Sequence, residues 1–128
     1  IKPNQMELEE VMGETLLSKA EIVAAARQLI QSGIPYVVVS MGADGALFID
    51  AEAAVHALPP KVEVKSTVGA GDAMVAGVVS GLVSGKSLKD CAAMATAFSV
   101  GALSQIGPRL PPMAQLQEWC DRVTVRSL

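Results

Sequence analysis

The run Tyr36–Ser40, YVVVS, is β-branched through its middle and carries no polar alternation. That is the pattern of a strand covered on both faces, as in a parallel sheet, so the chain must supply elements to cover it. Ahead of it, Ser18 and Glu21 match the S-x-x-E capping box, after which Ile22, Ala25, Ala26, Leu29 and Ile30 recur at helical spacing up to Gly33. Behind it, the glycine turn MGADG leads to two short strand candidates, ALFID and AVHAL, around Ala51–Ala53, and PPKVEVKS continues as an extended segment. Further helices are expected from Gly71 to about Ser84, from Leu88 to about Gln105 and from Met113 to Val123, with SGKS as a turn. At the start, Pro3 holds Lys2 extended, and QMELEEVMG then forms a short helix closed by Gly13. The sum is an α/β domain around a mixed sheet, without repeats or internal linkers.

A chain of 128 residues, 51% of them apolar, is large enough for one well-filled core. A formal charge of −3 gives no basic footprint, and the aromatics are limited to Tyr36, Phe48, Phe98 and Trp119, which argues against a nucleic-acid partner. The most apolar stretches, Ala73–Val83 and Cys91–Leu103, fall well short of the roughly 20 residues a membrane-spanning helix needs. Cys91 and Cys120 have no C-x-x-C spacing and His56 is alone, so neither a metal site nor a disulfide framework is indicated; free thiols in a reducing cytoplasm are expected. The opening IKPNQMELEEVMG has no initiator Met, basic leader or apolar targeting core and reads as part of a longer protein.

The chemistry concentrates in STVGAGDAMVAG, Ser66–Gly77, where an extended segment turns into a helix. Gly69, Ala70, Gly71 and Asp72 stand at the helix start, where unpaired amides and the helix dipole suit a phosphoryl oxygen. An alternative stays open: Asp72 simply caps the helix and the glycines serve the turn. Two resemblances are excluded. GLVSGKS has three residues where a Walker A loop has four and follows a helix, so Ser87 reads as a cap for the next helix. The dinucleotide fingerprint fits Gly69 and Gly71 but fails at Met74. VVVSMGADGAL is a second glycine stretch, readable also as a hairpin whose Gly45 needs a positive φ. Lys2, Asn4 and Glu7 cluster at a strand-to-helix corner, readable also as a solvated corner.

KPNQMEL, VVVSMGADGAL and STVGAGDAMVAG, in this order and spacing, together resemble the C-terminal part of a PfkB/ribokinase-family carbohydrate kinase, over essentially the whole chain. The resemblance implies that residues 1–128 are the nucleotide-binding and catalytic C-terminal part of a ribokinase-like three-layer α/β/α fold with a mainly parallel sheet. The sugar-binding part, the lid and the dimer contacts would lie outside it, and the fragment alone would be inactive. KPNxxEL joined to STVGAGD is similar to the subgroup of 1-phosphofructokinases, tagatose-6-phosphate kinases and type 2 6-phosphofructokinases. This implies ATP-dependent phosphorylation of a phosphosugar, fructose 1-phosphate first, with tagatose 6-phosphate or fructose 6-phosphate as alternatives, in a cytoplasmic homodimer. By the same resemblance Asp72 is the base and the amides of Gly69, Ala70 and Gly71 form the anion hole. Lys2 reaches the transferring phosphate, Asn4 contacts the nucleotide phosphates, and Glu7 orders Mg²⁺ through water. Ser40, Gly42, Ala43 and Gly45 form the nucleotide turn, Thr96 and Val100 flank adenine, and Ser66, Val68, Ala102 and Gly107 offer carbonyls to a monovalent cation such as K⁺. A reading from another class is a non-catalytic nucleotide-binding module that kept the fold.

Overall fold

The computed structural model describes residues 1–107 and 109–128. Helix α1, Gln5–Met12, starts at Asn4, whose side chain accepts from the Glu7 N–H while the Glu7 carboxylate accepts from the Asn4 N–H, and ends at Gly13 with φ 71°. Helix α2, Lys19–Gln31, starts with the Ser18–Glu21 box that its sequence announces. Strands β1, Val37–Ser40, β2, Ala46–Ile49, and β3, Ala54–Leu58, follow, with a single 3-10 turn at Gly42–Asp44 between the first two. Helices α3, Ala70–Val83, α4, Leu88–Leu103, and α5, Met113–Arg122, lead to a last strand β4, Thr124–Ser127. Ser87 caps α4 by accepting from the Asp90 N–H at 3.2 Å, so GLVSGKS is the interhelical turn expected of it.

The sheet runs β1-β2-β3-β4, and every pairing between these strands is antiparallel. The expectation of a mainly parallel sheet is therefore not met. The reason lies in the connections: residues 41–45 and 50–53 are too few for the crossover that a parallel neighbour requires, and only hairpins fit. Among the described residues, parallel pairing occurs where residues 1–4 run beside β1. There Ile1 O accepts from Val38 N at 2.8 Å, Pro3 O accepts from Ser40 N at 3.1 Å, and Asn4 bridges Ser40.

Burial on both strand faces is as expected, and it divides by parity. Val37, Val39, Leu47, Ile49 and Ala54 pack with Leu8, Ile22, Ala25 and Ala26 of α1 and α2. Val38, Ala46, Phe48, Val55 and Ala57 pack with Met74, Ala92 and Ala95 of α3 and α4. Side chains alternate across a strand, so the sheet becomes the middle of three layers, α/β/α. The outer pair α3 and α4 approaches closely because Gly77 has no side chain: a Cβ there would stand 2.6 Å from Ala95 Cα.

Candidate active site

The start of α3 is set by its anchoring. Lys65 N and Ser66 N both donate to Leu103 O, at 2.8 and 3.3 Å, which ties the extended segment 59–65 to the end of α4. Val68 N donates to Ser66 Oγ at 3.2 Å, and Gly69 then turns the chain with φ 81° as the N-cap of α3. A residue with a Cβ is strained there. The Ala70 N–H makes a long bond to Thr67 O, 3.4 Å, and among the described residues the N–H groups of Gly71 and Asp72 have no partner. These are the orphan amides that a helix start offers an anion, with the dipole behind them. Gly69 provides no side-chain cap, and the Asp72 carboxylate, exposed in the first turn, makes no hydrogen bond among the described residues. The capping alternative for Asp72 is thus not what the geometry shows.

Beside this helix start lies a cleft of about 740 Å³. One wall is Ala70, Gly71 and Met74 of α3, with Thr67 before it. Lys2 reaches in from the edge beside β1, and a Cβ built on Gly71 would stand 3.4 Å from its ammonium nitrogen. The facing wall is Ser40 with Gly42, Ala43 and Gly45 of the turn after β1. This turn closes on itself through Met41 N to Gly45 O, 2.8 Å, and Gly45 N to Gly42 O, 3.1 Å. Gly45 has φ 82° and is pressed on β3, where a Cβ would meet Ala57 O at 2.0 Å; its glycine is required by the sheet itself. Thr96 and Val100 of α4 line the floor. Among the described residues the buried Thr96 hydroxyl has no hydrogen-bond partner.

Nine of the residues singled out by sequence thus share one cleft: Lys2, Ser40, Gly42, Ala43, Gly45, Ala70, Gly71, Thr96 and Val100. Gly69 and Asp72 belong to the same helix start but do not line the cleft. Asn4 and Glu7 are exposed and engaged with each other in the α1 capping box, a motif their N-x-x-E spacing already spells. Ser66 is tied to the end of α4 by its bond to Leu103 O, while Ala102 O already accepts from the Ser104 and Gln105 N–H groups and Gly107 O from the Arg109 N–H. Sequence reasoning missed the wall formed by Pro59, Pro60, Lys61, Val62 and Val64, and also Ser99 and Leu103. An extended Pro-rich segment without periodicity gave no signal, whereas Ser99 and Leu103 stand one turn from Thr96 and Val100 and could have been found by helical spacing.

A family model described as pfkB family carbohydrate kinase matches residues 1–115. The chain is similar to a 1-phosphofructokinase from Rhodobacter capsulatus, 48% identical over 128 residues, which cover all of this chain and 40% of that protein. It is similar in structure to phosphofructokinase-2 from Escherichia coli in complex with substrates and products, with a TM-score of 0.88 and 34% identity over 94% of this chain and 39% of the other. A ribokinase from Thermotoga maritima shares the fold, with a TM-score of 0.78 at 22% identity over 94% of this chain and 41% of that one. The chain spans about two fifths of the length of the curated relatives it matches.

Proposed function

Because this chain belongs to the pfkB family of carbohydrate kinases, we propose that it is the nucleotide-binding and catalytic part of an ATP-dependent phosphosugar kinase. The acceptor is fructose 1-phosphate, giving fructose 1,6-bisphosphate, with tagatose 6-phosphate and fructose 6-phosphate as the competing acceptors; the name of the Rhodobacter capsulatus relative favours the first. One observation carries the reading: partnerless amides at the start of α3 and the Lys2 ammonium meet at a cleft whose opposite wall is a glycine turn.

In this reading the triphosphate lies between the Gly42–Ala43 turn and the start of α3, and Thr96 and Val100 flank the base. Asp72 accepts the proton of the acceptor hydroxyl as its oxygen bonds to the γ-phosphorus and the bond to the bridging oxygen of ADP breaks. Phosphoryl transfer asks mainly for alignment and charge neutralisation, which Lys2 and the amides of Gly69, Ala70 and Gly71 supply, while Asn4 contacts the nucleotide phosphates. A correctly placed base adds about 10²- to 10⁴-fold.

Magnesium suits this donor set. Mg²⁺ keeps several waters and is held chiefly by nucleotide phosphates, so it asks few ligands of the protein. Glu7 would order it, since only one of its carboxylate oxygens is committed to the α1 cap. Bound there, Mg²⁺ neutralises phosphate charge. The carbonyls of Ser66, Val68, Ala102 and Gly107 are the candidate seat for K⁺. Among the described residues no helix is long and apolar enough to cross a membrane, and we place the full-length protein in the cytoplasm as a homodimer.

Asp72→Asn tests the assignment in the full-length protein. Turnover of fructose 1-phosphate is expected to fall at least about 100-fold while the dissociation constant for MgATP stays within about twofold. Undiminished turnover contradicts the base assignment, and a substrate panel on the unaltered protein ranks the three acceptors.

A further inference from the structure

We infer that His56 is a positioning residue for the nucleotide turn, holding it from behind through the Asp44 carbonyl. This rests on the reading of the cleft as the nucleotide site. His56 lies on β3 opposite Leu47 and therefore shares the α1/α2 face of the sheet with Leu47 and Ala54, away from the cleft. It is 3% exposed and, with Thr96, one of the buried polar side chains among the described residues. Its Nε2 stands 2.7 Å from Asp44 O. A carbonyl oxygen can only accept, so Nε2 carries the hydrogen and the ring is committed to that tautomer. A polar ring buried in a strand is tolerated when so paired, which accounts for a histidine where the pattern of β3 asks for an apolar residue.

The partner is the turn itself. Gly42 and Ala43 face the cleft on one side, while Met41 and Asp44 line a separate cavity of about 320 Å³ on the other, together with His56 and Arg126. The turn's internal bonds are Met41 N to Gly45 O, Asp44 N to Met41 O and Gly45 N to Gly42 O. Among the described residues its outside contacts include two successive residues of β3, the Ala57 carbonyl against which Gly45 is pressed and the His56 ring on Asp44, and the α1/α2 core against which Met41 packs. Without the ring bond the Asp44 peptide is released toward the cavity behind it, and the Gly42–Ala43 wall loses its fixed distance from α3. Lys2 and the α3 amides are untouched, so the consequence falls on nucleotide binding and not on the chemical step.

The test compares His56→Leu with His56→Gln, whose amide can donate to the same carbonyl, by hydrogen exchange and by MgATP titration. His56→Leu is expected to speed exchange at the Asp44 and Gly45 amides and to weaken MgATP binding, each by about tenfold, with α4 amides unchanged and with both effects largely restored in His56→Gln. In the full-length kinase, KM for ATP rises and kcat stays within about twofold. Unaltered exchange at Asp44 and Gly45, or faster exchange there with unaltered MgATP affinity, overturns the inference. If the leucine variant does not fold, nitrogen NMR of the unaltered ring decides: hydrogen on Nε2 with a coupling to the Asp44 carbonyl is expected, and an Nε2 that carries no hydrogen refutes it. A chain that binds no MgATP at all sinks the kinase reading instead, while the exchange and tautomer results still judge the hold of His56 on the turn.

Discussion

Cys91 shows how a single side chain carries the chemistry of its surroundings. Burial pushes its thiol up from the ordinary value of 9.0, Asp90 adds to the shift and Lys86 opposes it. The folded chain therefore holds this proton more tightly than the unfolded chain does. Its stabilising contribution is whole below the ordinary value and is lost as pH rises through the folded one. Urea unfolding between about pH 8 and 10.5 is expected to show the midpoint of the unaltered chain falling more steeply than that of Cys91→Ala; parallel slopes contradict the assignment. At the cleft, legibility also differed residue by residue. Gly69, Gly71 and Asp72 could be placed from sequence because a helix start is a local feature, written in consecutive residues. Lys61 and Pro59 could not, since what brings them to the cleft is the attachment of their segment to Leu103, a contact remote in sequence.

At the scale of elements, helices were readable and strand directions were not. Capping boxes mark the starts of α1 and α2, and Ser87 marks α4, because the residues that satisfy orphan amides lie within one turn of them. The run at β1 reported its burial correctly, but coverage on two faces follows from helices above and below and is blind to whether the neighbouring strand is parallel. The length of the loops was the better guide and points to hairpins. Strand β4 went unread because TVRS is short and largely exposed at a sheet edge, with no apolar signal to separate it from a terminus. The α3–α4 seam gives a test at this scale. Gly77→Ala puts a Cβ against the Ala95 backbone, which cannot rotate away, so about 1–3 kcal/mol of stability is expected to be lost in urea unfolding. A change under about 0.5 kcal/mol would mean that the helices stand further apart than described.

For the molecule as a whole, the three layers matter because of what they bring together at one end. The turn after β1, residue 2 beside the β1 edge and the start of α3 come from remote parts of the chain, and the antiparallel sheet with its two helical faces sets them around one cleft. Residues of this chain line the cleft, so the proposed nucleotide binding can be tested on it directly. The central claim is that a phosphate settles on the amides at the start of α3. The most direct measurement is an amide NMR titration of the chain with MgATP, with Gly71→Val as control. Saturable shifts concentrated at Gly69–Asp72 and Gly42–Ala43 are expected, and at least about a tenfold weaker response in Gly71→Val, which puts a branched side chain on the cleft wall beside Lys2. Saturable shifts that leave the start of α3 unmoved, or an equal response from Gly71→Val, would contradict it.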